Sequence, residues 1–177
     1  MKWVVVVVAA AGVIALLIAL MAIIGSRLPK GHVATVRARH KQPPDVLWAV
    51  ITNLPDLANW RSDLKSVELV AAEDGQPVWV EHGRNGNIKM RVERADPPER
   101  LVVRIADPKL PFGGSWTYVL EPTESGTLLH ITEDGEVYNP IFRFLSRVVF
   151  GPFSTLERYQ HDLGRKFGDA VVTERVR

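Results

Sequence analysis

The five histidines are the residues whose chemistry is easiest to recognise, because imidazole is a common metal ligand and acid–base catalyst. They are spread along the chain as His32, His40, His82, His130 and His161. None belongs to an HExxH motif or lies at ligand spacing from a carboxylate, and the chain contains no cysteine. The pattern argues against a metal site, and it predicts no cofactor.

Other catalytic arrangements are equally weak. His130 and Asp134 could form an acid–base pair, but four residues along a strand separate them by about 13 Å. Ser115 and Ser146 lack the context of a nucleophile elbow. The glycines of Gly83–Gly86 do not open a helix after a strand, as a phosphate-binding loop requires. Nothing in the sequence therefore demands catalysis.

A long apolar run near the start of the chain dominates its composition. The segment Trp3–Ile24 contains no charged residue, and as a helix it would be about 33 Å long, which matches a hydrocarbon core of about 30 Å. Three of the 22 basic residues flank it, whereas all 20 acidic residues follow it. The basic isoelectric point thus comes from the flanks and does not indicate a nucleic-acid surface, so no nucleic-acid partner is predicted.

The apolar run predicts an uncleaved, single-pass membrane anchor over residues 1–26 and a linker over residues 27–31. The alternative is a cleaved signal peptide, whose apolar region is usually only about 7–15 residues long. The sequence Ile23–Ser26 also makes a poor cleavage site. Basic residues after the span favour a cytoplasmic domain. The Met-Lys start is equally common in anchors whose amino terminus is cytoplasmic, so the side of the membrane stays open.

The rest of the chain predicts one strand, two short helices, six more strands and a long helix. Asn85-Gly86 is a strong signal for a two-residue hairpin turn. Asn139 and Pro140 are typical of the start of a helix, and Gly151-Pro152 predicts a kink in it. The predicted strands cover residues 32–40, 64–72, 77–82, 87–95, 100–106, 115–121 and 127–134. The predicted short helices cover residues 45–53 and 54–60, and the long helix begins at Asn139 with an apolar stripe that runs to Phe167.

This order of elements resembles the START-like helix-grip fold of the SRPBCC superfamily, which includes the polyketide cyclase/dehydrase and lipid transport family. The segments Pro43–Trp48, Leu54–Trp60 and Gly135–Phe144 carry the resemblance. It implies an α+β domain over residues 32–170, with a seven-stranded antiparallel sheet wrapped around a long C-terminal helix. The N-terminal transmembrane helix would precede this domain, and residues 171–177 would form a C-terminal tail. Members of the superfamily bind lipids, sterols, quinones or polyketides in a cavity, and some are cyclases.

The topology that this resemblance implies places several connections at one end of the sheet. They are the hairpin at residues 84–86, the loop at residues 107–114 and the start of the long helix. The anchor would enter at the same end through a linker at most about 25 Å long. We therefore expect a pocket whose apolar rim lies near the bilayer. The alternative is that the same aromatic residues fill a solid core.

Strand alternation and helical spacing give the candidate ligand-binding residues. His82 and Tyr118 are the predicted polar groups that orient a ligand. The predicted lining from the strands includes Val80, His82, Met90, Val103, Trp116 and Tyr118. The long helix adds the pocket or rim candidates Phe142, Leu145, Val149 and Phe153. The predicted rim is Trp60, Arg61, Phe112 and Tyr138.

Three functions fit these expectations. The first is membrane-anchored binding, or transport, of a lipid or other hydrophobic small molecule. The second is a polyketide cyclase or dehydratase that uses His82 or Tyr118 as acid or base. The third is a structural or protein-interaction module with a filled core. The sequence identifies neither the ligand nor the oligomeric state.

Overall fold

The computed structural model describes residues 2–84 and 86–176, although the side chains of residues 149 and 150 lie outside the description. An apolar helix, α1, covers Lys2–Arg27. It is the one helix in the described ranges that is long and apolar enough to cross a membrane. Residues 3–20 of α1 are exposed, so the folded domain does not cover most of its length.

The remaining elements form a curved sheet with helices packed on its concave face. The strands are β1 (Gly31–His40), β2 (Leu64–Glu73), β3 (Gln76–Gly83), β4 (Gly86–Asp96), β5 (Arg100–Ile105), β6 (Phe112–Thr123), β7 (Gly126–Val137) and β8 (Thr173–Val176). The helices are α2 (Pro44–Ile51), a 3-10 turn (Leu54–Asp56), α3 (Leu57–Trp60), α4 (Pro140–Leu145), a π-helical turn (Ser146–Phe150) and α5 (Ser154–Lys166).

The sheet is antiparallel throughout its described pairs, in the order β2-β3-β4-β5-β6-β7-β1-β8. Its concave face meets α2, α3 and α5 in an apolar core that includes Val36, Leu47, Ile131, Leu156 and Leu163. Each of these side chains is at most a few per cent exposed. This burial against one face is what holds the register, because a slip of one residue would turn each strand's apolar side chains outward.

The predicted α+β class and antiparallel sheet are confirmed, with one strand more than expected. The segment predicted as a tail contains β8, which pairs with β1 between Thr35–Ala38 and Thr173–Val176. Arg37 donates two hydrogen bonds to the Glu174 carboxylate, at 2.8 and 3.0 Å. The tail was missed because only four residues pair, too few to show an alternating pattern.

The long C-terminal helix is broken rather than kinked. Gly151 has φ 71° and ψ 158°, outside the helical region. Pro152 has no amide hydrogen to donate to the preceding turn. Asn139 caps α4 as predicted, since its Oδ1 accepts a hydrogen bond from the Phe142 amide at 3.0 Å. The break leaves α4 beside α1, while α5 packs on the sheet.

A pair of arginines joins α1 to the domain. Arg143 is 3% exposed, and its guanidinium donates to the carbonyls of Gly25, Leu28, Val137 and Tyr138 at 2.8–3.1 Å. Because α1 ends at Arg27 and β1 begins at Gly31, only three residues connect them. The side chain of Arg143 therefore bridges this short connection and fixes its path.

Arg147, one turn after Arg143, reinforces the junction. Its Nη2 donates to the carbonyls of Pro29 and Gly31, at 3.1 and 2.9 Å. The predicted linker, at most about 25 Å long when extended, is thus a short connection whose carbonyls are held by side chains of the domain.

Candidate ligand-binding cavity

A cavity of about 1200 Å³ lies between the concave face of the sheet and the helices. Most of its wall is apolar, with Met90, Leu101, Val103 and Ile105 from neighbouring strands facing Leu156 of α5. A volume of this size exceeds the usual range of about 300–1,000 Å³ for small-molecule sites. The interior is therefore not the filled core that the structural-module alternative requires.

A cluster of charged and polar side chains interrupts this apolar wall where β2 begins and β3 ends. Arg61 donates from Nη1 to Glu81 Oε1 at 2.7 Å and from Nη2 to Asp63 Oδ2 at 2.8 Å. Trp79 Nε1 donates to the same Glu81 oxygen at 3.1 Å. The Arg61 and Glu81 side chains are 13% and 10% exposed. Two carboxylates thus flank one guanidinium inside an apolar enclosure.

The charges in this cluster stabilise one another. Burial opposes the charge on Arg61, but Glu81 and Asp63 more than offset it and raise the pKa of the guanidinium above its ordinary value. The Arg61 guanidinium also lies 5.4 Å from the centre of the Tyr159 ring. Arg61 therefore stays charged throughout the accessible pH range and can hold a polar group of a ligand in place.

Two tyrosines extend the cluster into the cavity. The rings of Tyr118 and Tyr159 are 5.3 Å apart. Burial raises the pKa of both phenols above its ordinary value, although nearby Arg61 opposes the shift. Both phenols are therefore protonated at neutral pH, so they can donate hydrogen bonds but cannot serve as general bases.

Exposed residues line the cavity at more than one place, and one of these places lies where the β5–β6 loop meets α4 and the π-helical turn. We call Pro111, Phe142, Arg147, Gly151 and Pro152 the mouth, since these residues line the cavity and are exposed. The ring of Phe142 stacks on that of Phe112, with centroids 5.9 Å apart. His32, at the start of β1, also lines the cavity, so α1 joins the domain at the end that carries the mouth.

Seven of the predicted binding residues line the cavity. They are Arg61, Met90, Val103, Phe112, Trp116, Tyr118 and Phe142. Whether any of them contacts a ligand stays a prediction. The side chain of Val149 lies outside the described residues.

Val80 and His82 do not line the cavity, which corrects the predicted direction of β3. They lie on the outer face of the sheet, where His82 Nδ1 is 2.9 Å from Asn87 Oδ1 and Nε2 is 3.3 Å from Glu68 Oε2. Trp79 and Glu81 point inward instead. The prediction failed because Val78, Trp79 and Val80 are all apolar, so alternation alone does not decide which face is buried.

Four other predicted residues lie outside the cavity wall. Trp60 is 7% exposed and packs edge-to-face on Tyr159, with centroids 5.1 Å apart. Tyr138 is 46% exposed and donates a hydrogen bond to Glu136 at 2.8 Å. Leu145 and Phe153 are partly buried beside the break in the helix. These residues support the wall or the surface.

Asp63, Trp79, Glu81 and Tyr159 also line the cavity, although they were not among the predicted binding residues. The sequence did contain information on the direction of Trp79 and Glu81 in β3. A two-residue hairpin places directly paired residues on the same face of the sheet, so these side chains face the same side as their partners on β4. In the structure Trp79 pairs with Met90 and Glu81 with Ile88. Since Met90 was predicted to face inward, the hairpin alone could have placed Glu81 inside. Asn85, part of the predicted turn, lies outside the described residues, while Gly83 pairs with Gly86.

The described residues contain no group of three or more histidine, aspartate or glutamate side chains placed to hold a metal ion. The polar cluster offers hydrogen-bonding groups and a guanidinium that is paired with two carboxylates.

Comparison with known proteins identifies the family. The model of the polyketide cyclase/dehydrase and lipid transport family matches residues 32–165. The chain belongs to this family. No curated protein matches the chain at a significant level. Membership and fold together support binding of a hydrophobic ligand or cyclase-type activity.

Solved structures share the fold at low sequence identity. A START superfamily protein from Mycobacterium smegmatis is 16% identical, with a TM-score of 0.58 over 77% of this chain and 95% of that one. The ZhuI aromatase/cyclase from Streptomyces sp. R1128 is 15% identical, with a TM-score of 0.58 over 79% and 97%. Norcoclaurine synthase from Thalictrum flavum is 11% identical, with a TM-score of 0.61 over 77% and 86%. These likenesses show the START-like, helix-grip fold.

Proposed function

We propose that this protein is a membrane-anchored binder of a lipid or other hydrophobic small molecule, which it holds in the cavity between sheet and helices. The observation that carries the proposal is the largely apolar cavity of about 1200 Å³ with a charged cluster at one place in its wall. A ligand that fits has a large apolar body and a polar group that reaches Arg61 or Tyr118.

The junction at Arg143 supports a retained anchor over a cleaved signal peptide. Cleavage near Ser26 would remove the Gly25 carbonyl, one of four acceptors for a buried guanidinium. It would also uncover the surface of α4 that α1 contacts. We therefore expect the mature protein, isolated from its native membrane, to have the intact mass of a chain that includes residues 1–26. A mass that begins near residue 27 would disprove the anchor.

Co-purification tests the cavity directly. The full chain is extracted in detergent, and bound small molecules are identified by mass spectrometry. Val103→Phe places a ring in the cavity, because Val103 is 5% exposed and lines the wall. We expect the variant to lose most of the bound molecule.

The neighbouring residue provides a matched control. Val102 alternates with Val103 on β5 and does not line the cavity, so Val102→Phe should retain the ligand. Met90→Phe provides a second filling variant should Val103→Phe fold poorly. Equal ligand content in the filled variants and the control would contradict binding in the cavity.

The alternative is a cyclase or dehydratase, which Tyr118 favours because its protonated phenol lines the cavity. His82 is not part of this proposal, since it lies on the outer face of the sheet. Tyr118→Phe separates the two functions. Loss of turnover of a supplied polyketide with ligand retention intact supports the enzyme, whereas retention without any turnover in the native protein supports the binder.

A further inference from the structure

The segment that forms one side of the mouth packs against the last turns of α1. We call residues 140–148 the mouth segment; it comprises α4 and the first part of the π-helical turn. Gly25 is buried against Pro140, where an added Cβ would overlap the Pro140 carbonyl. Met21 and Ala22, one turn earlier, are partly buried, whereas residues 3–20 are exposed. The mouth segment therefore covers about one turn at the end of the apolar helix.

This contact fixes the depth of the mouth segment relative to the apolar run. Met21 and Ala22 belong to the uncharged stretch Trp3–Ile24. At 1.5 Å per residue, Met21 lies about 4.5 Å inside the end of that stretch. If α1 spans a bilayer, as the proposed function holds, the element packed on Met21 lies at the boundary between the hydrocarbon and the headgroups.

The side chains of the mouth segment suit that boundary. It exposes apolar side chains, since Phe142 is 40% exposed and Val148 is 64% exposed. Its two charged residues, Arg143 and Arg147, both turn back onto carbonyls of α1 and the following connection. The segment contains no acidic residue. In water such exposed apolar side chains are unfavourable, whereas at a bilayer surface they are stabilised.

We propose that the mouth segment is embedded in the lipid interface beside α1, so that the mouth, as defined above, opens into the bilayer rather than into water. The inference rests on the proposed anchor but goes beyond it, since a tethered domain could equally stand clear of the membrane. Because the mouth segment packs on α1, its exposed apolar side chains would contact the acyl chains of the leaflet that α1 enters. Arg143 and Arg147 hold the two elements at one depth.

Depth-dependent fluorescence tests the inference on the full chain. Because the protein has no cysteine, a single introduced cysteine carries an environment-sensitive NBD label without competing sites. The labelled chain is reconstituted into phosphatidylcholine/phosphatidylglycerol vesicles, with or without lipids that carry a nitroxide quencher on the acyl chain. Val148→Cys probes the mouth segment. Leu69→Cys is the matched control, since Leu69 is 57% exposed on β2, far along the sheet order from β1.

We expect the label at residue 148 to emit at shorter wavelength than the label at residue 69 and to be quenched several-fold more strongly by the nitroxide lipids. Equal emission and quenching at the two positions would overturn the inference. A third label, at Leu16→Cys in α1, separates the two proposals. If residue 16 is quenched and residue 148 is not, only the embedded mouth segment is wrong; if neither is quenched, the anchor itself is wrong.

Discussion

Two largely enclosed arginines lie in different regions of the molecule, and they are stabilised in different ways. Arg61, in the cavity wall, is held by the carboxylates of Asp63 and Glu81. Arg143, at the junction with α1, is held by four backbone carbonyls, and no carboxylate pairs with it among the described residues. At the first site one positive charge lies between two negative charges, whereas at the second a single charge is surrounded by backbone dipoles.

The difference determines how each site responds to the loss of one group and to a change in pH. Removing one member of a carboxylate–guanidinium cluster leaves an uncompensated charge inside the protein, so the cost is large. Carbonyls that lose a donor are only unsatisfied, and the cost is smaller. A carbonyl does not titrate, so the junction keeps its geometry where carboxylates would change charge.

The largest expected effect is at Arg61. Arg61→Met should lower the free energy of unfolding by about 3 kcal/mol, because Glu81 and Asp63 would then face each other without a counter-ion. Urea unfolding of the detergent-solubilised chain measures the change. Adding Glu81→Gln to that variant should restore part of the loss. If the second substitution instead deepens the loss, the cluster is not held by charge balance and the comparison fails.

The next effect is at Arg143. Arg143→Met should cost about 2 kcal/mol, since four carbonyls lose their donor but no charge is orphaned. Arg147→Met provides the control on the same element and should cost less, because Arg147 is exposed and binds only two carbonyls. A loss at Arg143 as large as that at Arg61 would show that the dipoles and the carboxylates are equivalent after all.

A smaller effect is expected from widening the contact between α1 and α4. Gly25→Val should cost about 1–2 kcal/mol, because the Pro140 backbone must move to admit a side chain. Limited trypsin digestion after Arg27 and Lys30 should then become several-fold faster than in the wild type. Gly12→Val is the control, since nothing lies within 4 Å of a Cβ there. Equal digestion of the two variants would mean that the junction does not protect the connection.

The smallest effect comes from a third buried basic side chain, which avoids the cost of charge by remaining neutral. His40 is 2% exposed, its Nε2 is 2.8 Å from Gln160 Oε1, and its buried Nδ1 has no partner among the described residues. Burial lowers the pKa of His40 below 6.5, against the opposing effects of Gln160 and Asp169. The unfolded chain thus binds this proton more readily than the folded protein.

Stability from His40 is therefore present above about pH 6.5 and is lost as the pH falls towards the lowered folded pKa, by at most about 1.4 kcal/mol per pH unit. Comparing urea unfolding of the wild type and of His40→Gln between pH 7 and pH 5 measures this contribution. We expect a shallower pH dependence in the variant. An identical slope would show that other groups carry the acid sensitivity.

Much of the fold could be predicted because its signals are local. Asn139 and Pro140 mark the start of α4, and alternating apolar residues mark β4 and β5 on the correct face. The direction of β3 could not be taken from its own residues, since both of its faces carry apolar side chains. The pairing of Glu81 with Ile88 decides it, and that information lies in the hairpin rather than in the strand.

The site was harder to predict than the fold because charged residues form its centre. Glu81 and Asp63 are of residue types that usually lie at the surface, and their contact with Arg61 offsets the free-energy cost of burying their charges. That contact joins residues twenty positions apart, brought together by the pairing of Leu64 with Gly83. Likewise, nothing in the spacing of Arg143 predicts that it binds carbonyls of Gly25 and Leu28, more than a hundred residues earlier.

The position of β1 has a consequence for the order in which the sheet forms. Its two neighbours, β7 and β8, are the last two of the described strands in the sequence. Both edges of β1 therefore stay unpaired until contacts between residues roughly a hundred positions apart have formed, and such long-range contacts form slowly. The first strand of the domain is thus among the last to be joined to the sheet.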